Sequence, residues 1–171
     1  YVEPEILRSN LAGVILQMLY LRLGNIQEFP FIDPPGSHAI REGQKLLREL
    51  GAVTDNMQLT PLGKEMAALP IEPQTARMLL QANQESVLSE MLVIAAGLSI
   101  QDPREFPTEE KEKARQMHSS FVSRESDYIT LLSIWRAYQA RWNELKTENK
   151  MRKFCRQHFL SFVRMREWRD I

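Results

Sequence analysis

Ala52-Val53-Thr54-Asp55-Asn56-Met57-Gln58-Leu59-Thr60-Pro61 is the stretch of this 171-residue chain on which the fold turns. Ala52–Thr54 and Met57–Thr60 are two short runs around Asp55-Asn56, with the length and turn chemistry of a small β-hairpin, although Asp-Asn is a weaker turn pair than Asn-Gly. No other segment reads as sheet. On the far side, Thr60 supplies an N-cap hydroxyl and Pro61 a first helical residue for a short helix through Leu62, Met66 and Leu69. On the near side, a helix capped by Ser37 buries Ala39, Gly43, Leu46, Leu47 and Leu50 and ends at Gly51, where a left-handed residue is wanted.

Before that helix, Phe29-Pro30-Phe31-Ile32-Asp33-Pro34-Pro35-Gly36 holds too many prolines for regular structure and reads as an extended loop. From Glu5 to Leu23, the residues Leu7, Leu11, Val14, Ile15 and Met18 make one apolar stripe of a helix, with Pro4 in its first turn and Gly24 at its end. Helix, helix, hairpin and short helix in this order is the outline of a degenerate winged helix over residues 1–70. Pro70-Ile71-Glu72-Pro73 marks a boundary, because its prolines stop one helix and start another.

Residues 71–171 read as a second, wholly helical part. Val87 to Leu98 is apolar nearly all round and is expected to be the buried central helix of a bundle. Gln101 to Pro107 is a loop, and Glu109 to Gln116 a charged, solvated helix. Ser126-Asp127 caps a longer helix carrying Tyr128, Leu131, Leu132, Trp135, Tyr138 and Trp142 at helical spacing. Lys150 to Ile171 is helical with a bend near His158.

Composition excludes several classes. A formal net charge of zero with 26% charged residues gives no global field that announces a partner. No apolar run approaches the ~20 residues that cross a bilayer, and the single cysteine, Cys155, leaves no internal disulfide, so a cytoplasmic protein is expected. The chain starts at Tyr1 without an initiator Met and stops inside a charged helical pattern, from which we expect a piece of something longer.

No active site emerges. The one Gly-Lys pair, Gly63-Lys64, is followed by Glu65, and the position five before Gly63 is Gln58, so no phosphate-binding loop can form and the pair reads as the start of an ordinary helix. His38, His118 and His158 are far apart and lack the spacing of zinc ligands, so no metal is expected. Cys155 has Arg152, Lys153 and Arg156 as neighbours, which would lower a thiol pKa on a shared face. It also follows Phe154 on a stripe with Met151, so a buried structural cysteine is the better reading.

Charge distribution is more informative. Lys150 to Ile171 carries seven basic residues against Glu167 and Asp170, a net +5 that leaves −5 on the rest. Interleaved with Phe154, Phe159, Phe162 and Trp168, this is the composition of a helix that packs with its aromatics and offers arginines to phosphates. The alternative is that the basic helix pairs with the acidic surface of Glu109, Glu110 and Glu112. In the first part, Arg41, Lys45 and Arg48 alternate with Glu42 and Glu49, a balanced surface that argues against reading bases in a major groove.

Pro4-Glu5-Ile6-Leu7-Arg8-Ser9-Asn10-Leu11 resembles the segment with which DEAH-box ATP-dependent RNA helicases enter their winged helix. Asp33-Pro34-Pro35, Leu50-Gly51-Ala52, Leu59-Thr60-Pro61-Leu62-Gly63, Leu69-Pro70-Ile71-Glu72-Pro73 and Leu98-Ser99-Ile100-Gln101-Asp102-Pro103 follow in register. Glu125-Ser126-Asp127-Tyr128 and Phe159-Leu160-Ser161-Phe162 are similar to the ratchet-like portion, and the wording is most similar to the bacterial HrpA-type branch. The resemblance implies a mainly α fold, a winged helix over 1–70 and a C-terminally truncated ratchet-like helicase-associated domain over 71–171. It implies a parent enzyme that couples ATP hydrolysis to 3′-to-5′ movement along RNA, with ATP and Mg held by RecA-like motor domains that would precede Tyr1. This fragment would then hold no cofactor and would neither hydrolyse ATP nor unwind a duplex alone.

Carried over position by position, Ser126, Asp127, Arg152, Lys153, Arg156, Arg164 and Arg166 are the candidates for single-stranded RNA. Pro4, Glu5, Arg8, Asn10 and Leu11 are the candidates for packing on the motor of the same parent chain. Ser126 and Asp127 also make a good helix cap, and Phe162-Val163 stands where many members have Tyr-Arg, with Arg164 as the substitute. RNA binding in isolation is expected to be weak, and neither a membrane nor a metal is expected as partner. The rival readings are a winged-helix DNA-binding regulator, lost on changing Arg41, Lys45 and Arg48, and a protein-interaction platform whose pull-downs are independent of RNA.

Overall fold

A computed structural model describes residues 11–171 of the chain, and the beginning of the expected first helix lies outside them. Among the described residues there are nine α-helices and almost no strand. They form two compact units, one running through Ser86 and one over Val87–Ile171.

The first unit is built around α1 (Ala12–Tyr20), which packs against α2 (Ser37–Glu49), α3 (Pro61–Ala67) and α4 (Pro73–Gln84). Its core is Leu11, Ala12, Ile15 and Leu16 against Ile40, Leu47, Ala52, Met66 and Ala76. The helix Pro73–Gln84, which follows the expected boundary at 70/71, therefore contributes its buried Ala76 to this core.

Local chemistry explains most of the ends. Thr60 caps α3 by accepting from the Gly63 N–H at 2.9 Å, with Pro61 at the first helical position. Gly51 takes φ 72° after α2. Other ends depart from the sequence reading. Gly36, not Ser37, occupies the N-cap of α2, and no side chain caps it. Ile40 rather than Ala39 is fully buried on that helix. α1 ends at Tyr20 with Arg22, not Gly24, as the first left-handed residue (φ 56°), while Leu23 N–H reaches back to Met18 C=O at 2.9 Å.

The expected hairpin is reduced to one antiparallel bridge, Val53 to Leu59. Thr54 N–H donates to Gln58 C=O and Met57 N–H to Thr54 C=O, both at 2.9 Å, and Met57 adopts φ 59°. This is a tight turn followed by a left-handed residue, so the loop takes three residues and the pairing that remains is too short for strands.

The second unit is a helical bundle of α5 (Leu88–Ser99), α6 (Lys111–His118), α7 (Asp127–Leu145), α8 (Glu148–Gln157) and α9 (Phe162–Asp170), with a short 3₁₀ turn at Thr108–Glu110. Its core collects Ile134, Tyr138, Met151, Cys155, Leu160, Met165 and Trp168. The central helix is α7, which packs against both α5 and α8. α5, expected to be that helix, buries only Ile94 and Gly97 fully, while Leu92 and Leu98 are about half exposed. Apolar composition all round does not say which side has neighbours. On α7 the fully buried stripe is Thr130, Ile134 and Tyr138, with Leu131, Trp135 and Trp142 flanking it and Tyr128 exposed.

The expected bend near His158 is a full break between α8 and α9. Phe159 takes φ 51°, Leu160 N–H bonds Cys155 C=O at 2.9 Å and Phe159 N–H bonds Arg156 C=O at 3.3 Å. That pair of bonds is a Schellman end. A bulky residue in the left-handed region costs on the order of 1–3 kcal/mol. What holds it is the use made of its carbonyl, which accepts from Glu105 N–H at 2.8 Å and faces His118 Nε2 at 2.9 Å. No helix among the described residues is long and apolar enough to cross a membrane.

Candidate nucleic-acid interface

α8 sorts its side chains by helical period. Met151, Phe154 and Cys155 face the core, so Arg152, Lys153 and Arg156 must face out, and all three are exposed. Arg152 lies over the Phe162 ring at 4.4 Å and approaches Glu148 on its own helix at 3.9 Å. Arg152 and Arg156 open into a groove shared with Lys113, Glu105 and Glu110 and walled by Phe159, Leu160 and Phe162.

Two of the three acidic residues that might have neutralised this helix, Glu110 and Glu112, have cationic partners of their own. Glu110 pairs with Lys113 at 2.9 Å and Glu112 with Arg115 at 2.6 Å, both three residues apart in sequence. Among the described residues, Lys153, Arg156 and Arg166 enter no ion pair, and the single pair of α8 is Arg152 with Glu148. Exposed pairs of this kind contribute about 0–1 kcal/mol each, so they leave the cationic face of α8 available.

α9 does not bring its two candidates together. Arg164 and Arg166 are two residues apart, which puts them on opposite sides of a helix. Arg164 is half-buried and donates from Nη1 to the Asp102 carbonyl at 2.8 Å, whereas Arg166 is exposed. At the start of α7, the Ser126 hydroxyl accepts from Tyr128 N–H at 3.1 Å, so Ser126 is a helix cap, and Asp127 is the first helical residue, where a carboxylate suits the helix dipole.

Arg104 was missed by the sequence reading. Its Nε and Nη2 make a forked pair with the Asp102 carboxylate, at 2.7 Å for the shortest contact, and its N–H donates to Asp102 Oδ1 at 2.9 Å. Burial pushes the Asp102 carboxyl up, but hydrogen bonds and charge from Arg104 outweigh it and leave the group below the usual carboxylate range. The signal was present: an Asp two before an Arg across a proline-fixed turn is the spacing of an Asx turn.

Of the motor-packing candidates, Pro4, Glu5, Arg8 and Asn10 lie outside the described residues, and Leu11 is 1% exposed in the core of the first unit. On α2, Lys45 approaches Glu49 at 3.9 Å, in keeping with its balanced surface.

Among the described residues no cluster of His, Cys, Asp and Glu has the makings of a metal site. Cys155 is fully buried, and burial pushes its thiol up to about 12 despite the three cations nearby in sequence. A thiol so placed is almost entirely protonated at pH 8 and unreachable by solvent. In the folded chain it is therefore expected to resist a water-soluble thiol reagent at pH 8 and to react at once in urea. Rapid labelling without denaturant would contradict this placement.

Residues 72–161 match the family model of the helicase associated domain (HA2), ratchet-like, and residues 44–71 match that of the helicase associated domain (HA2), winged-helix. The whole chain is 42% identical to the ATP-dependent RNA helicase HrpA of Escherichia coli (strain K12) and spans 14% of that protein. Identity is also 42% to the ATP-dependent RNA helicase HrpA homolog of Haemophilus influenzae (strain ATCC 51907 / DSM 11121 / KW20 / Rd), again over 14% of its length. Over 93% of the chain it is 37% identical to the probable ATP-dependent RNA helicase DHX35 of Homo sapiens, covering 22% of it.

Proposed function

Since the chain belongs to the helicase-associated (HA2) family of the DEAH-box RNA helicases, we propose that it packs on a RecA-like motor and lines one side of a single-stranded RNA channel. Under this reading the ATP and Mg chemistry resides in the motor. The part played here is mechanical: a winged helix as mounting block, then a ratchet-like bundle as a wall along which RNA moves 3′ to 5′.

The observation that carries the reading is the cationic face of α8, on which Lys153 and Arg156 enter no ion pair among the described residues and Arg152 only a 3.9 Å exposed pair with Glu148, beside the groove lined by Phe159 and Phe162. Cations held out from an aromatic-backed helix meet phosphates and not bases, so binding is predicted to be weak, salt-sensitive and independent of sequence. The DNA-regulator reading has less support, because Arg41, Lys45 and Arg48 on α2 are interspersed with Glu42 and Glu49 and the second unit would have no part in it.

The test is binding of a fluorescent oligouridylate at low ionic strength. Changing Arg152, Arg156, Arg164 and Arg166 together to Gln is expected to weaken binding about tenfold or more. It should also flatten the dependence of log K on log salt by about 0.7 per phosphate contact removed. Equal affinity of the two proteins would remove the basic wall from the account.

A further inference from the structure

We propose that Asp102 is a positioning residue that mounts the Arg164 guanidinium for contact with a phosphodiester of single-stranded RNA, with Arg104 locking the mount. This rests on the RNA-channel reading above and names the device that orients one of its cations.

The mount is rigid for identifiable reasons. Pro103 is fully buried, its carbonyl accepts from Ser161 N–H at 2.7 Å, and Glu105 N–H donates to Phe159 C=O at 2.8 Å, so the segment is fastened to the α8–α9 break on both sides. Within it, the Asp102 carboxylate is saturated. It takes the Arg104 N–H at 2.9 Å, Nε at 3.1 and 3.2 Å and Nη2 at 2.7 Å. With its side chain so fixed, Asp102 presents its main-chain carbonyl to Arg164 Nη1 at 2.8 Å.

The choice of acceptor is what points to a ligand. Lys45, Lys113, Arg115, Arg141, Arg152 and Arg169 each approach a carboxylate, which offsets part of their charge. Lys153, Arg156 and Arg166 keep their charge but are exposed rotors, and ordering such a side chain costs about 1.5–2 kcal/mol of conformational entropy. Arg164 alone among the candidates is both fixed and un-neutralised. One of its five N–H groups is given to a neutral carbonyl, and it enters no ion pair among the described residues. Asp127 acts electrostatically on Arg104. The Asp102–Arg104 pair is locally neutral, and it leaves the Arg164 charge outside any ion pair among the described residues.

The experiment is a double-mutant cycle in the 171-residue chain, read as oligouridylate affinity across salt concentrations, with melting temperature followed in parallel. Charge alone predicts that Asp102→Ala tightens RNA binding, since a carboxylate is removed. Positioning predicts the opposite: about threefold to tenfold weaker binding, and no further loss when Arg164→Gln is already present. Asp102→Asn keeps an acceptor for the Arg104 N–H, is expected to retain most of the affinity, and keeps the cycle readable if the Ala variant unfolds. Arg164→Gln should lower the salt slope by about 0.7. Unchanged or tighter binding of Asp102→Ala, or an equal penalty in both backgrounds, overturns the mount. Loss of affinity in Arg164→Gln with none in Asp102→Ala fails the mount alone. Indifference of binding to all four arginines fails the channel reading, and the mount with it.

Discussion

Gly63→Ala is expected to lose more than about 4 kcal/mol of stability in the first unit, a size of effect that single substitutions reach only by a specific steric or electrostatic fault. By helix propensity alone the same change should stabilise α3 by about 1 kcal/mol, so the sign is itself the test. A Cβ built on Gly63 would lie 1.9 Å from the Ala52 carbonyl oxygen and 2.8 Å from its carbon. Both are main-chain atoms, so no flexible side chain can yield. Ala52 is fully buried, and its carbonyl accepts from Thr60 N–H at 3.0 Å and from the Thr60 hydroxyl at 3.2 Å. That hydroxyl lies 2.7 Å from the Gly51 carbonyl as well, and it accepts the Gly63 N–H. Room for a methyl can be made only by separating α3 from the 51–60 turn, which breaks the helix cap together with the turn. Overpacking costs about 1–3 kcal/mol when side chains can adjust, and here they cannot; loss of the cap adds about 1–2 kcal/mol. Thr60→Ala, which removes the cap without the clash, is the control and should cost only that smaller amount. Urea unfolding followed by far-UV circular dichroism measures both. A Gly63→Ala chain as stable as the parent would show that α3 does not approach the turn this closely.

The contrast between Gly63 and the rest of the fold shows which features a sequence can announce. Thr60-Pro61, Gly51 and Ser126 were readable because a cap is settled by atoms within three residues of each other. The left-handed positions at Arg22, Met57 and Phe159 were not, because at each a non-glycine residue takes a conformation its own side chain does not favour; for Phe159 the bonds that hold it come from Glu105 and His118, both more than forty residues away. Which faces of α5 and α7 are buried was equally hidden: both helices offer apolar residues in several directions, and only the neighbours choose. The outward cations of α8 were legible from the inward stripe Met151, Phe154 and Cys155. Their freedom from Glu110 and Glu112 was not, since those carboxylates pair with Lys113 and Arg115, three residues on in sequence, and a count of charges cannot say so. Arg164 was a candidate from sequence, but its acceptor, 62 residues earlier, is a main-chain carbonyl that no side-chain pattern reveals.

Trp168→Ala is expected to be the most damaging single change in the second unit. The indole is 2% exposed, its Nε1–H donates to Val93 C=O at 2.9 Å, and its ring lies 5.3 Å from that of Trp135. Truncating a buried Trp costs about 3–5 kcal/mol through lost transfer energy and the cavity left behind. Loss of the Val93 bond accounts for about 1 kcal/mol of that. The cavity would be hard to close, because one wall is the backbone of α5 at Gly97, where a Cβ would meet the indole at 2.5 and 2.8 Å. This gives the prediction a second arm. Gly97→Ala alone should cost about 1–3 kcal/mol by overpacking, and Trp168→Phe alone about 1–2 kcal/mol for the lost bond and the smaller ring. Together they should cost less than the sum by about 0.5–3 kcal/mol, since the smaller ring makes room for the methyl. The readout is clean, because Trp135, Trp142 and Trp168 all belong to Val87–Ile171, so selectively excited tryptophan fluorescence reports on this unit alone. Gly63→Ala should leave that fluorescence transition nearly in place while Trp168→Ala moves it to much lower urea. Strict additivity of Gly97→Ala with Trp168→Phe would mean that the indole does not rest on α5.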